Sequence, residues 1–138
     1  WGLDTRFRVA GNEAILDFIE HTDPSAHGDV AEILIRTADN LPQVAWYCPD
    51  LQQFAYVVLH TPANRVFGIA YGQSSIGFLL PAAAVHHALA NRGTRNNHLP
   101  GNWICWQDSA LLDFWLEKGA PKLRAWCRLA YEQALRYA

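Results

Sequence analysis

Hydrophobic and polar positions change period along the chain, and the changes predict helices first, then a strand meander, then helices again. Ala14, Ile15, Phe18 and Ile19 fall on one helical face. Asn12 precedes them as a capping residue, because its side chain can accept a bond from an otherwise orphan N–H. The run His21-Thr22-Asp23-Pro24-Ser25 ends that helix, since proline lacks a donor and restrains the residue before it. Val30, Ile33, Leu34, Thr37 and Ala38 give the stripe of a second helix over Asp29 to Asp39. From Val44 the period shortens to two. Val44, Trp46 and Cys48 alternate with Ala45 and Tyr47, as in a strand. Phe54 to His60, Val66 to Tyr71 and Ser75 to Leu80 follow as three more strands, separated by the turn signals Thr61-Pro62-Ala63-Asn64 and Gly72-Gln73-Ser74. The opening residues, with Leu3, Phe7 and Val9, suit either a short strand or an arm.

Pro81 fits the first turn of a helix over Ala82 to Ala90, with Val85 and Leu89 paired one turn apart and Gly93 as its C-terminal cap. Trp103 to Gln107 alternates again as a fifth strand. Asp108 or Ser109 caps the next helix, whose inner face is expected to hold Leu111, Leu112, Trp115 and Leu116. Gly119-Ala120-Pro121 breaks the chain before a last helix, where Leu123, Trp126, Cys127, Ala130, Tyr131, Ala134 and Leu135 keep a 3.6-residue period. The pattern predicts one α+β domain over residues 1–138. A four- or five-stranded, mainly antiparallel sheet should carry helices mostly on one face.

Composition sharpens the surface more than the fold. Of 138 residues, 51% are hydrophobic and only 17% charged, below the roughly 25% usual for soluble domains. Six tryptophans fit either dense core packing or an apolar surface for a partner. No apolar run approaches the roughly 20 residues of a membrane span. The sequence begins at Trp1 and contains no methionine, so a missing or processed start, and export, stay open. Three widely spaced cysteines, Cys48, Cys105 and Cys127, match neither a disulfide framework nor a compact metal motif, which points to a cytoplasmic protein.

The net charge of −2 is unevenly spread. Residues 1–50 hold nine acids and three arginines, whereas between Asp50 and Asp108 there is no acid, only Arg65, Arg92 and Arg95. This middle is too weakly basic for general nucleic-acid binding but suits one small anion. The acids of the first helices, Glu13, Asp17 and Glu20, then Asp29 and Glu32, form either a solvated face or a surface for a basic partner.

Catalytic signatures are few. His86 and His87 are helix neighbours about 100° apart, poorly placed for one metal. His60, His98 and Cys105 form a zinc set only if folding gathers them. Ser74-Ser75 lacks the G-x-S-x-G elbow, and Gly68, Gly72 and Gly77 lack the Lys-Ser/Thr of a phosphate loop. No metal or cofactor is therefore expected. The loop from Arg92 to Trp103 is the best candidate. Arg92 and Arg95 offer forked donors, His98 offers an imidazole that can donate or accept a proton, and Trp103 would form an apolar wall. The same Asn, Gly and Pro residues also make ordinary turns.

At this loop the chain resembles the small luciferase-domain family of bacterial and fungal proteins, a label that does not imply light emission. The matching residues are Gly72, Leu80, Pro81, Leu89, Gly93, His98, Pro100, Gly101 and Trp103, continued in Leu129-Ala130-Tyr131-Glu132. They cover about half the chain. Where the family tends to carry histidines and an acid in the hairpin, this chain has Ile69 and Tyr71 and no acid, and the spacing from Pro100 to Trp103 is shortened. The resemblance implies topology and no activity. The residues favour a noncatalytic binding or protein-interaction domain, with a protein partner, a small anion or a second copy as ligand. The alternative is a small enzyme, such as a hydrolase, in which Arg92 and Arg95 hold an anionic substrate and His98 acts as general acid or base.

Overall fold

The alternating runs form one antiparallel sheet whose strands lie in chain order, β1 (Ala45–Tyr47), β2 (Val57–His60), β3 (Val66–Tyr71), β4 (Ser75–Leu79) and β5 (Trp103–Gln107). The computed structural model describes residues 3–22, 24–50 and 56–136. Two helices precede the sheet, α1 (Glu13–Thr22) and α2 (Gly28–Thr37); α3 (Ala82–Ala90) joins β4 to β5, and α4 (Asp108–Leu116) and α5 (Pro121–Leu135) follow. The architecture is the α+β meander that the pattern predicts. Trp1, Asp23, and Phe54 with Ala55 at the expected start of the second strand lie outside the described residues. Leu3 to Ala10 forms no strand; it carries a 3-10 turn at Thr5–Phe7.

Strand alternation divides the core into two layers. On one face Val57, Ala70, Ile76 and Trp106 lie in register across four strands, with Leu59, Phe78 and Ile104 in the adjoining row. Helices α2, α3, α4 and α5 cover this face. On the opposite face Val58, Ile69 and Cys105 form a row with Trp103 nearby, and among the described residues Leu3, the 3-10 turn, α1 and Leu99 cover it. Helices thus gather mostly on one side, and the central strands are buried on both.

Two residues read as helix caps do other work. Asn12 is fully buried. Its Nδ2 donates to the carbonyls of Phe7 and Asn64 (2.8 and 2.9 Å), and its Oδ1 accepts from Val66 N (3.0 Å), tying the N-terminal arm to β3. Asp108 has φ 55°; its N–H donates to Ser74 O (3.0 Å) and its carboxylate accepts from the Ser74 hydroxyl (2.6 Å). It fastens the start of α4 to the β3–β4 turn, where Gly72 supplies the left-handed φ of 64°.

The C-terminal end of α3 corrects another expectation. The left-handed residue is Arg92 (φ 68°), not Gly93. Gly93 N donates back to Ala88 O (3.0 Å), a Schellman-type closure. Its glycine identity follows from space instead: a Cβ would lie 2.6 Å from Ile104 Cγ2 and 2.7 Å from Ala88 O. Gly93→Ala should destabilise the fold by about 1–3 kcal/mol through overpacking. Urea unfolding checks this, and a change below about 0.5 kcal/mol would contradict the close approach.

The thinner layer also holds a buried histidine. His60 packs edge-on against Phe7 (4.9 Å between ring centroids), and its Nδ1 lies 2.9 Å from Thr61 O. Burial lowers its proton affinity, with Arg6 acting in the same direction and the Thr61 carbonyl opposing. The unfolded chain therefore takes up this proton more readily than the native state. Stability from His60 is complete above the ordinary histidine pKa of about 6.5 and is lost as pH falls through and below it. The slope of unfolding free energy between pH 7 and 5 should flatten in His60→Gln; an unchanged slope would assign the acid sensitivity elsewhere.

Candidate functional site

The loop between α3 and β5 does not gather the four residues that its composition nominates. Its first part closes the sheet edge: Thr94 and Cys105 exchange both backbone hydrogen bonds at 2.8 Å. Trp103 then starts β5, and strand alternation turns its ring into the thinner core layer, where it is 2% exposed. Arg92 points the other way. Its guanidinium bonds Asp113 on α4 (2.8 Å) and lies 5.9 Å from the centre of the Phe114 ring. Arg95 and His98 stay together on the outer side of the loop.

Those two line a polar cleft of about 260 Å³ with Tyr71, Asn96, Cys105 and Gln107. Asn96 organises it. Its Oδ1 accepts from His98 N (2.9 Å), and its Nδ2 donates to the Tyr71 hydroxyl (3.3 Å). Arg95 donates to Gly101 O (2.9 Å), which bridges the two ends of the loop while the residue stays exposed. Burial raises the proton affinity of Tyr71 and of Cys105, so both remain protonated near neutrality. The cleft thus presents a guanidinium, an amide, an exposed imidazole and a neutral thiol, without an activated nucleophile.

The candidate set of His60, His98 and Cys105 is split. His60 lies against Phe7, whereas His98 and Cys105 line the loop cleft. His86 and His87 are both exposed on α3. Among the described residues no group of three His, Cys, Asp or Glu side chains could hold a metal ion. No described helix is long and apolar enough to cross a membrane.

A larger feature lies on the crowded side of the sheet, between α2 and α4. At one end a hollow of about 430 Å³ is bounded by His27, Asp29, Gln73, Ser74 and Asp108, with Val30 and Leu111 as its buried floor. It runs on into a second hollow of about 360 Å³, where Ile33 and Leu112 are joined by Glu32, Arg36, Trp115 and Leu116. Leu112 is 50% exposed and Leu116 71%. The sequence pattern puts both on the inner face of α4 with Leu111; Leu111 is buried there as expected, but its buried partner is Phe114. Phe114 stands edge-on to Trp126 (5.4 Å), and this contact fixes the rotation of the helix. On the other side of α2 a further hollow of about 360 Å³ is lined by Ile35, Cys48, Val57 and the half-exposed Trp46 of β1.

The sequence signal for this groove is present but two-sided. Residues 110–116 read Ala-Leu-Leu-Asp-Phe-Trp-Leu, so apolar side chains occupy more of the helix than one stripe can bury. Such a run has to leave some of them facing solvent or a partner. Compared with protein-family models, curated proteins and solved structures, the chain shows no match.

Proposed function

We propose that the protein is a noncatalytic protein-interaction domain that docks a partner in the α2–α4 groove. The observation that carries this reading is the exposure of Leu112 and Leu116 beside Ile33 and Trp115 along one continuous apolar hollow. Large apolar side chains scattered singly need no explanation, but a contiguous, polar-rimmed strip favours a contact surface. The neutral, highly buried Cys105 and the diverted Arg92 weigh against the loop as a catalytic centre. The likeness to the luciferase-domain family enters the proposal as one of topology. A cytoplasmic setting belongs to it as well, in keeping with the free thiols of Cys48, Cys105 and Cys127.

A second reading, a small enzyme acting on an anionic substrate, draws on one observation: Arg95 and His98 line the same cleft. The readings separate cleanly. Partner binding that survives Arg95→Ala and His98→Ala supports the docking domain, whereas turnover abolished by those substitutions supports the enzyme.

The docking reading is tested with the double variant Leu112→Asp/Leu116→Asp. Both sites are exposed, so its stability should stay within about 1 kcal/mol of the parent. A partner isolated with the parent, then purified and remixed, should bind in fixed stoichiometry and lose at least roughly tenfold in affinity with the variant. Equal affinity for parent and variant would place the contact elsewhere and remove the groove from the account.

A further inference from the structure

The groove has a direction and a charge, and together these select an occupant. His27 and Asp29 from the start of α2 line the same end as Asp108 from the start of α4. Arg36 from the end of α2 and Leu116 from the end of α4 line the other. The two helices thus run the same way and leave a furrow along the nine residues of α4, about 13 Å at 1.5 Å per residue. A furrow of that shape and length suits about two to three turns of a third helix laid between them.

The charge lies on the rim. Among the described residues Asp29, Glu32 and Asp108 border the furrow, against one guanidinium, that of Arg36. Arg36 pairs with Glu32 at 2.8 Å, so the rim keeps its net negative charge at Asp29 and Asp108. Asp29 is 91% exposed, with the His27 imidazole 3.7 Å away. The dipoles of α2 and α4 place partial positive charge at the same end, which offsets but does not cancel two full carboxylates. A second copy in two-fold contact would bring this acidic rim toward its own image, which like-charge repulsion disfavours.

We infer that the α2–α4 furrow receives a basic amphipathic helix of a partner protein, its apolar stripe on Ile33, Leu112, Trp115 and Leu116 and its Lys or Arg flank against the acidic end of the rim at Asp29 and Asp108. This rests on the docking reading above and adds the chemistry of the partner. Apolar contact supplies the affinity, and the acidic rim sets the orientation of the helix and speeds encounter.

The probe is a synthetic helix of about 16 residues with leucines at i, i+4, i+7 and i+11 and lysines beside them, compared with a peptide in which glutamate replaces every lysine. Binding to the full chain is read by amide and leucine-methyl NMR shifts. The lysine peptide should perturb Ile33, Leu112 and Leu116, bind roughly tenfold or more tightly than the glutamate peptide, and lose that advantage in Asp29→Lys/Glu32→Lys or at high salt. Equal binding of both peptides overturns the basic character of the partner but leaves an apolar docking groove. Binding of neither overturns the helical occupant, and the partner measurements with Leu112→Asp/Leu116→Asp then judge the docking reading on their own. A dimer in sedimentation that Leu116→Asp dissociates would make a second copy the occupant and overturn the inference.

Discussion

The stacking of Trp106 on Trp126 is the contact on which the arrangement of the helical layer depends. The rings lie 4.1 Å apart and 19° from parallel, joining β5 to α5. Phe114 meets Trp126 edge-on from α4, and Phe78 meets Trp106 from β4. Trp106 Nε1 donates to Asn91 O (3.0 Å), so the same ring also holds the end of α3. One aromatic cluster thus fixes five elements. Such pairs contribute about 1 kcal/mol each beyond the area they bury, and truncating a buried tryptophan costs about 3–5 kcal/mol.

The exposed groove is a consequence of that cluster. With Phe114 committed to Trp126, residues two before and two after it on α4 must turn outward. Leu112 and Leu116 are those residues. The Asp108–Ser74 bonds fix the other end of α4, so the helix cannot roll to bury them without breaking either attachment. The cost of leaving two leucines in water is therefore built into the packing, and a partner that covers them recovers apolar area at little cost in reorganisation.

Much of the fold was legible because its periods are clean. The stripe of α5 and the short apolar runs of β3 and β4, bounded by turn signals, each match one template, as does the alternating run of β5, and the pairing of β2, β3 and β4 follows from the short turns between them. The rotation of α4 was not legible, because Leu111, Leu112, Phe114, Trp115 and Leu116 fit more than one buried stripe and only the position of Trp126 chooses among them. The loop site was half legible. Arg95 and His98 do share a cleft, but Trp103 belongs to the alternation of β5, and the left-handed turn at Arg92 sends its side chain to α4. Composition identified the chemical groups; the backbone turn between them decided which could meet.

The most direct test of the central claim is solvent accessibility of leucine methyls in the free protein, read by the broadening that a soluble paramagnetic agent causes in methyl NMR spectra. The account predicts strong broadening at Leu112 and Leu116 and protection at Leu111 and Leu123, their buried counterparts on α4 and α5. Protection of Leu112 and Leu116 in the monomer would mean that the chain already covers its own groove, and would contradict a free docking surface.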